Sequence, residues 1–347
     1  MKVAVLGAGI CGLSAARVLV SRGHSVELFE KFQLFHEQGS SHGATRIVRK
    51  AYPDAFFTAI MAEAYPLWHE LEAASNTKLL HECGLFYFGS QDSADLHSVS
   101  KGLLNLQVPF EILKANETTD KFPSLRLQSH EMGIWTPEAG WVNAALALKV
   151  TYDLAVAAGL VVHENSFPAP LELASQFDVV LVAAGAWTTK YLNIPVNVSL
   201  QTFAYIDAEI PGPVWIEDSY DNPYGFPSDD RGLKIGIHRA GTSTDPDNPS
   251  RNPSQEMVEI IRETASRRFG VENPTVRSSH GCLYTTTRNE DFLVGRFADN
   301  VFFTSACSGH GFKMGPWSGR MLANFGDGSD TPENHPRFFF NPLAASA

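Results

Sequence analysis

Gly7-Ala8-Gly9-Ile10-Cys11-Gly12 follows directly on the apolar run Lys2–Leu6 and precedes a helix-like stretch, Leu13–Arg22, closed by Gly23. Each glycine in this G-x-G-x-x-G spacing has its own task. Gly7 permits the tight turn, Gly9 lets backbone approach a pyrophosphate, and Gly12 lets helix pack on strand. The positive end of the helix then faces the phosphates. A second strand, Ser25–Phe29, ends at Glu30, near the ~20-residue offset at which a carboxylate can accept hydrogen bonds from ribose hydroxyls. Strand, glycines, helix and carboxylate in register imply a nucleotide-binding βαβ unit. The fingerprint itself does not distinguish NAD from FAD. His310 has the alternative readings of metal ligand or triad member, but no HExxH and no coherent carboxylate spacing accompanies it. No metal is expected. Four cysteines (Cys11, Cys83, Cys282, Cys307) make neither a CxxC pair nor a disulfide framework.

Further elements are needed to hold such a unit. The 347 residues suggest two domains or one large discontinuous one. Asp178–Ala184 and Val301–Ala306 read as buried parallel-type strands like Lys2–Leu6. A helix from about Trp317 to Phe325 follows the second of these. Phe57, Ile60, Met61, Ala64, Trp68 and Leu71 recur at helical spacing, with a kink expected at Pro66. Asn143 can cap a helix through Ala158, with Gly159 as its stop. Between these lie strand-like Gly84–Phe88 and Leu233–His238, a helix-like Val99–Leu106, and a polar, weakly periodic Phe32–Tyr52. Parallel-type strands at the start, middle and end predict a Rossmann-type domain built from three segments, with a second domain inserted twice.

Composition narrows the functional classes. Hydrophobic residues at 44% and charged residues at 19% are an ordinary globular balance. A net charge of −11 disfavours nucleic-acid binding. The early glycines argue against a signal peptide, and no stretch reaches the ~20 apolar residues of a membrane span. Ala344-Ala345-Ser346-Ala347 is not a peroxisomal Ser-Lys-Leu address. A soluble, cytoplasmic monomer with no membrane or nucleic-acid partner is expected.

Three further stretches carry a resemblance: Gly39-Ser40-Ser41-His42-Gly43-Ala44-Thr45-Arg46-Ile47-Val48-Arg49, Cys282-Leu283-Tyr284-Thr285 and Ser308-Gly309-His310-Gly311-Phe312-Lys313. To these add Val179–Gly185 with Ala186-Trp187, and Tyr224-Gly225-Phe226-Pro227 leading to Gly232-Leu233-Lys234. Together they resemble the monomeric sarcosine oxidase family, within the amino-acid-oxidase group of flavoproteins that includes N-methyltryptophan and pipecolate oxidases. The resemblance spans essentially the whole chain, with the motifs in the same order, although the region after Gly159 is shorter than usual. It implies FAD as cofactor. The fold expectation becomes α/β plus α+β: a discontinuous Rossmann-type FAD-binding domain (1–77, 141–195 and 286–347) and a mixed-sheet substrate-binding domain (78–140 and 196–285).

The resemblance also assigns residues. It implies FAD contacts from Gly7, Gly9, Gly12, Glu30, His42, Thr45, Arg46, Gly185, Trp187, Gly309, His310, Gly311, Phe312 and Lys313. Cys282 would carry a thioether to the flavin, against the alternatives of a buried free thiol or attachment at Cys307. Lys234 would sit beside the flavin and promote reaction with oxygen, where a fixed cation stabilises developing superoxide. Its alternative is a surface lysine at a strand end. Arg49 and Lys313 would clamp a substrate carboxylate, the arginine as a two-pronged donor and the lysine as a point charge. They could instead be surface cations or neutralise flavin charge. His238, Tyr224 and Tyr284 would wall the substrate cavity, the tyrosines by packing and hydrogen bonding.

The implied activity is oxidation of a small secondary amino acid, N-methyl or cyclic and with a free carboxylate, to an imine as oxygen becomes peroxide. A dehydrogenase with a non-oxygen acceptor is the same-fold alternative. A non-catalytic flavin-binding protein is the alternative from another class.

Overall fold

The computed structural model describes residues 1–238, 241–305 and 307–342. The chain opens with β1 (Lys2–Leu6), α1 (Ile10–Ser21), β2 (Ser25–Phe29), β3 (Thr45–Val48) and α2 (Ala55–Ser75). Next come β4 (Leu80–His81), β5 (Leu85–Ser90), α3 (Ala94–Asn105), β6 (Glu111–Lys114) and α4 (Ala115–Lys121). The middle holds β7 (Glu131–Thr136), β8 (Gly140–Asn143), α5 (Ala144–Ala157), β9 (Val161–His163), α6 (Pro170–Ala174) and β10 (Val179–Val182). Then follow β11 (Asn197–Ile206), β12 (Val214–Asp218), β13 (Pro223–Gly225), β14 (Leu233–Ile237), β15 (Thr242–Ser243) and α7 (Gln255–Phe269). The chain ends with β16 (Val276–Thr286), β17 (Leu293–Ala298), β18 (Val301–Ser305) and α8 (Gly315–Asp327).

The first sheet gathers strands from the start, middle and end of the chain in the order β17-β18-β10-β1-β2-β9. All its pairs are parallel except β17 with β18. Apolar side chains on both faces suit strands covered on both sides. On one face Val3, Val5 and Leu181 pack with Leu13, Leu19, Met61, Trp68, Leu148 and Phe325. On the other, Leu6 and Val182 pack with Phe177, Trp187, Leu283 and Phe303. Gly7 adopts φ +102°, and a Cβ there would lie 2.5 Å from the Ala183 carbonyl oxygen. A Cβ at Gly12 would collide with the Gly7 carbonyl. The turn between β1 and α1 is therefore closed to larger residues.

The second sheet has nine strands, ordered β15-β11-β14-β13-β12-β5-β7-β6, with β16 also paired to β11. It is mixed: β12 and β5 run parallel and its other pairs antiparallel. A small sheet, β3-β8-β4, completes the set. No helix among the described residues is long and apolar enough to cross a membrane.

Local differences from the sequence reading have physical causes. β3 lies in the stretch with little periodicity and is four residues long, held by antiparallel pairing with β8. α3 begins at Ala94 because Ser93 Oγ accepts the Leu96 N–H at 3.1 Å, an N-cap that the weak apolar pattern there did not reveal. α8 extends two residues beyond the expected helix at each end, with Pro316 in its first turn. Pro66 stands inside α2 without ending it. Asn143 does cap α5, accepting the Leu146 N–H at 3.1 Å. Ala306 and the terminal Ala344–Ala347 fall outside the described residues.

Helix α7 packs on β11 and β14 and is tied to the sheet at its C-terminal end. Arg268, 2% exposed, donates to Glu217 on β12 at 2.8 Å and to both oxygens of Glu131 on β7 at 2.7 Å. Arg267 adds two bonds to Glu217. Burial alone would raise both carboxyls, but Arg268 outweighs it and holds them below the ordinary carboxylate range. Their stabilisation is therefore full above the unfolded carboxylate pKa of ~4.3 and fades as pH falls. Replacing Arg268 with Met should strand two buried carboxylates and destabilise the protein by about 3–5 kcal/mol near neutral pH. Urea unfolding should show this as a lower midpoint, with the gap to the parent narrowing as pH drops towards ~4.

Candidate active site

A cavity of about 490 Å³ extends from the turn after β1 to the segment before α8. Of the residues singled out from sequence, all but Gly12 line it. Gly12 lies behind the turn and allows the close approach there.

At the glycine end, Glu30 is buried at the tip of β2. Its carboxylate accepts the Ala8 N–H at 2.7 Å and the Phe32 N–H at 3.1 Å, with His36 Nε2 at 3.2 Å. Burial would raise this acid, yet His36 and the two amides together hold it below the usual range. Helix α1 has Gly9 as N-cap and no side-chain cap. Its Ile10 N–H meets Ser41 Oγ at 3.1 Å. Gly39-Ser40-Ser41-His42-Gly43 also has the G-x-S-x-G spacing of a nucleophile elbow, but no strand precedes it and no helix follows, and Ser41 serves the end of α1 instead. Gly185 turns with φ +52°. Trp187 donates its indole N–H to Asp247 at 2.7 Å.

Arg46 pins the 40–46 loop by donating to the carbonyls of Ser40 at 2.9 Å, His42 at 2.6 Å and Thr45 at 2.9 Å. Its guanidinium also lies 5.7 Å from the Phe312 ring. His42 Nε2 is buried without a hydrogen-bond partner. Burial, followed by Arg46, lowers the His42 pKa to about 4, so the ring is neutral at physiological pH.

The other end concentrates cations. Lys234 on β14 is 4% exposed and donates to Thr45 Oγ1 at 3.1 Å and to the Thr45 carbonyl at 3.3 Å. The alternative of a surface lysine is thereby excluded. Burial first, then Arg46, pushes its pKa well down. Arg49, just past β3, and Lys313, before α8, both face Tyr52: the guanidinium is 3.9 Å and the ammonium 5.6 Å from the ring centre. Arg49 also donates to the Ala51 carbonyl. Burial, reinforced by Arg49, pushes Lys313 well down as well. Its backbone carbonyl is held by the Trp68 indole N–H at 2.8 Å, and Phe312 stacks on that indole.

Gly309, with φ +74°, explains how one wall closes. A Cβ there would collide with the Tyr284 ring and lie 2.7 Å from His238 Cε1. A side chain at Gly236 would likewise meet the Tyr224 hydroxyl at 2.6 Å. Burial raises both phenols, which keeps them neutral and suited to hydrogen bonding rather than proton exchange. His310 accepts or donates at Nε2 with the Glu290 carbonyl at 3.1 Å; the carbonyl can only accept, so Nε2 carries the proton. Its Nδ1 is buried without a partner, and burial followed by Lys313 keeps the ring neutral. Cys282, on β16, is buried, and that burial raises its thiol pKa against the opposing pull of Arg46. Cys307 also lines the cavity, and a Cβ on Gly311 would sit 2.6 Å from its own.

Several lining residues were given no role by the sequence reading. Tyr52, three positions after Arg49, is the surface on which the two distal cations meet. Phe203 and Phe226 flank Lys234. Only the strand alternation of β11 and β14 could have pointed to Phe203, and it does not identify a neighbour across strands.

The unfilled hydrogen-bonding capacity fits a large anionic nucleotide. The α1 terminus, whose N-cap Gly9 has no side chain to offer, and the orphan His42 nitrogen lie along one side with the Glu30 carboxylate, and four cations lie further in. Known proteins agree with that geometry. The chain is 28% identical over 351 residues to peroxisomal sarcosine oxidase of Homo sapiens, covering 92% of this chain and 90% of that protein. It is 26% identical over 354 residues to N-methyl-L-tryptophan oxidase of Yersinia pestis, covering 94% and 95%. Among solved structures, NikD, an unusual amino acid oxidase essential for nikkomycin biosynthesis, superposes with a TM-score of 0.83 at 22% identity, over 95% of this chain and 94% of that one. L-proline dehydrogenase from P. horikoshii superposes with a TM-score of 0.82 at 20% identity, over the same shares. Both share the fold. The FAD dependent oxidoreductase family matches residues 2–325, and the chain belongs to it.

Proposed function

We propose that this protein is an FAD-dependent amine oxidase that converts a small N-methyl or cyclic amino acid to its imine while oxygen becomes hydrogen peroxide. The observation that carries this reading is the meeting of Arg49 and Lys313 on Tyr52, in the same cavity as the glycine turn and Lys234. Bound FAD would accept a hydride equivalent from the carbon beside nitrogen and pass the electrons to oxygen.

The chain's residues do the rest. The α1 terminus and Glu30 hold the nucleotide portion. Arg49 and Lys313 bind the substrate carboxylate, so that binding energy becomes orientation of the adjacent C–H bond. His238, Tyr224 and Tyr284 enclose the amine. Lys234 supplies a fixed cation where superoxide charge develops, and Cys282 is the covalent anchor for the flavin. The segments 1–77, 141–195 and 286–347 carry the cofactor, and 78–140 and 196–285 the substrate side. The fold likeness to a proline dehydrogenase keeps a non-oxygen acceptor as the second reading. Peroxide release under air separates the two.

N-methyl amino acids should bleach the flavin anaerobically, while their esters and the corresponding simple amines do so poorly. Arg49→Ala or Lys313→Ala should lower kcat/KM for the acid by about 100-fold, the loss that ~3 kcal/mol of charge-pair binding represents. Because Lys313 is held towards neutrality, binding of a carboxylate competitor should take up a proton and weaken as pH rises. Titration calorimetry in buffers of different ionisation heat measures that uptake. Equal turnover of acid and ester would remove the clamp.

In stopped flow, Lys234→Met should slow reoxidation of reduced flavin by about 100-fold while reduction changes far less. Equal slowing of both halves would assign Lys234 another role.

Acid-precipitated protein should remain yellow, and Cys282→Ser should release its flavin to the supernatant. Flavin retained by that variant would place the attachment elsewhere, with Cys307 the first candidate.

A further inference from the structure

Lys234 is an ammonium in an apolar strand; among the described residues it has no ion pair, and its hydrogen-bond acceptors are the two oxygens of Thr45. What surrounds it is aromatic. Nζ lies 4.6 Å from the centre of the Phe203 ring, 4.8 Å from Phe226 and 6.0 Å from Tyr205. Strand pairing produces this enclosure. Tyr205 and Lys234 are direct partners across β11 and β14, and Phe203 faces Gly236, which has no side chain to intervene. Phe226 is set by its own N–H, which donates to the Lys234 carbonyl at 3.1 Å. His280 also stacks on Phe203, with ring centres 5.1 Å apart.

The face of an aromatic ring carries negative potential, and its attraction for a cation grows when water is excluded. We infer that Phe203, Phe226 and Tyr205 form an aromatic cage that favours the charged form of Lys234 against its burial and directs it within the cavity, acting as positioning residues for oxygen reduction. The catalytic consequence rests on the reading of Lys234 given above; the cage itself does not. Other groups around the lysine do not replace it. Arg46 and Arg231 oppose its charge, while Asp229 and the Cys282 thiol favour it. Asp229 is already paired with Arg231, and burial holds Cys282 protonated. His42 and His280 also feel the lysine, and both are pushed towards the neutral form. With two N–H bonds on Thr45, the third is left for a small molecule in the cavity.

The test measures the lysine directly in the purified flavoprotein. Protein labelled with ¹³C at lysine Cε, with the Lys234 signal assigned by its loss in Lys234→Met, gives the titration midpoint of this one ammonium. Phe203→Leu and Phe226→Leu should each lower that midpoint by about one pH unit, and Phe203→Trp should retain it. The pH at which photoreduced flavin loses its fast reoxidation should fall in parallel. If a leucine variant does not fold, stepwise fluorination of the Phe203 ring, which keeps its shape while draining its face of negative potential, should lower the midpoint in steps. A midpoint unmoved by leucine or by fluorination overturns the cage. A shifted midpoint together with normal reoxidation in Lys234→Met would leave the cage standing and overturn the oxygen role instead.

Discussion

The constraint on which this site depends is the desolvation of positive charge. Arg46, Arg49, Lys234 and Lys313 all line one cavity, and the two lysines are almost wholly buried. Charge in such surroundings is costly unless something compensates it. Carbonyl oxygens do so for Arg46, ring faces and Thr45 for Lys234, and the Tyr52 ring for Arg49 and Lys313. All of these compensations are partial, and both lysines remain displaced towards neutrality. A site in that condition gains more from an arriving anion than a solvated one would, because the anion relieves repulsion already present.

The architecture follows from where those cations must stand. Arg46 and Arg49 come from β3 and the residue just beyond it, Lys234 from the nine-stranded sheet, and Lys313 from the segment leading into α8. The cavity lies where the three sheets converge, so a polar interior is assembled without breaking any sheet's own core. Glycines without side chains at 236 and 309 leave the room that Tyr224, Tyr284 and His238 occupy.

How much of this was legible in the sequence depended on the range of each interaction. The β1–α1–β2 unit was legible because its glycines, periodicity and closing carboxylate lie within 30 residues of one another. The Asn143 cap and the buried strands at 179 and 301 are similarly local signals. β3 was hidden because a four-residue strand has no room for a pattern and is fixed only by β8, almost a hundred residues away. The identity of the site residues came through motif resemblance, and spacing alone would not have joined Arg49 to Lys313. The partners that set their electrostatics were invisible, since Tyr52, Phe203 and Phe226 are ordinary aromatic residues until the fold brings a cation to their faces. The Ser41 contact with α1 is similar: only the tertiary structure brings that hydroxyl to the helix end.

Strand β1 is central in its sheet, and on one side its neighbours are β10 and then β18. β1 therefore gains both of its lateral partners, β2 and β10, once residue 182 has emerged, while the sheet as a whole waits for β18. No fragment that stops before Val301 can complete the parallel sheet, and the glycine turn that follows β1 stays part of an unfinished surface for most of translation. Closing loops of that length is entropically slow and leaves strand edges open in the interim. The strand order of this one sheet thus sets which of its edges can be covered early and which stay open until the C-terminal third of the chain is present.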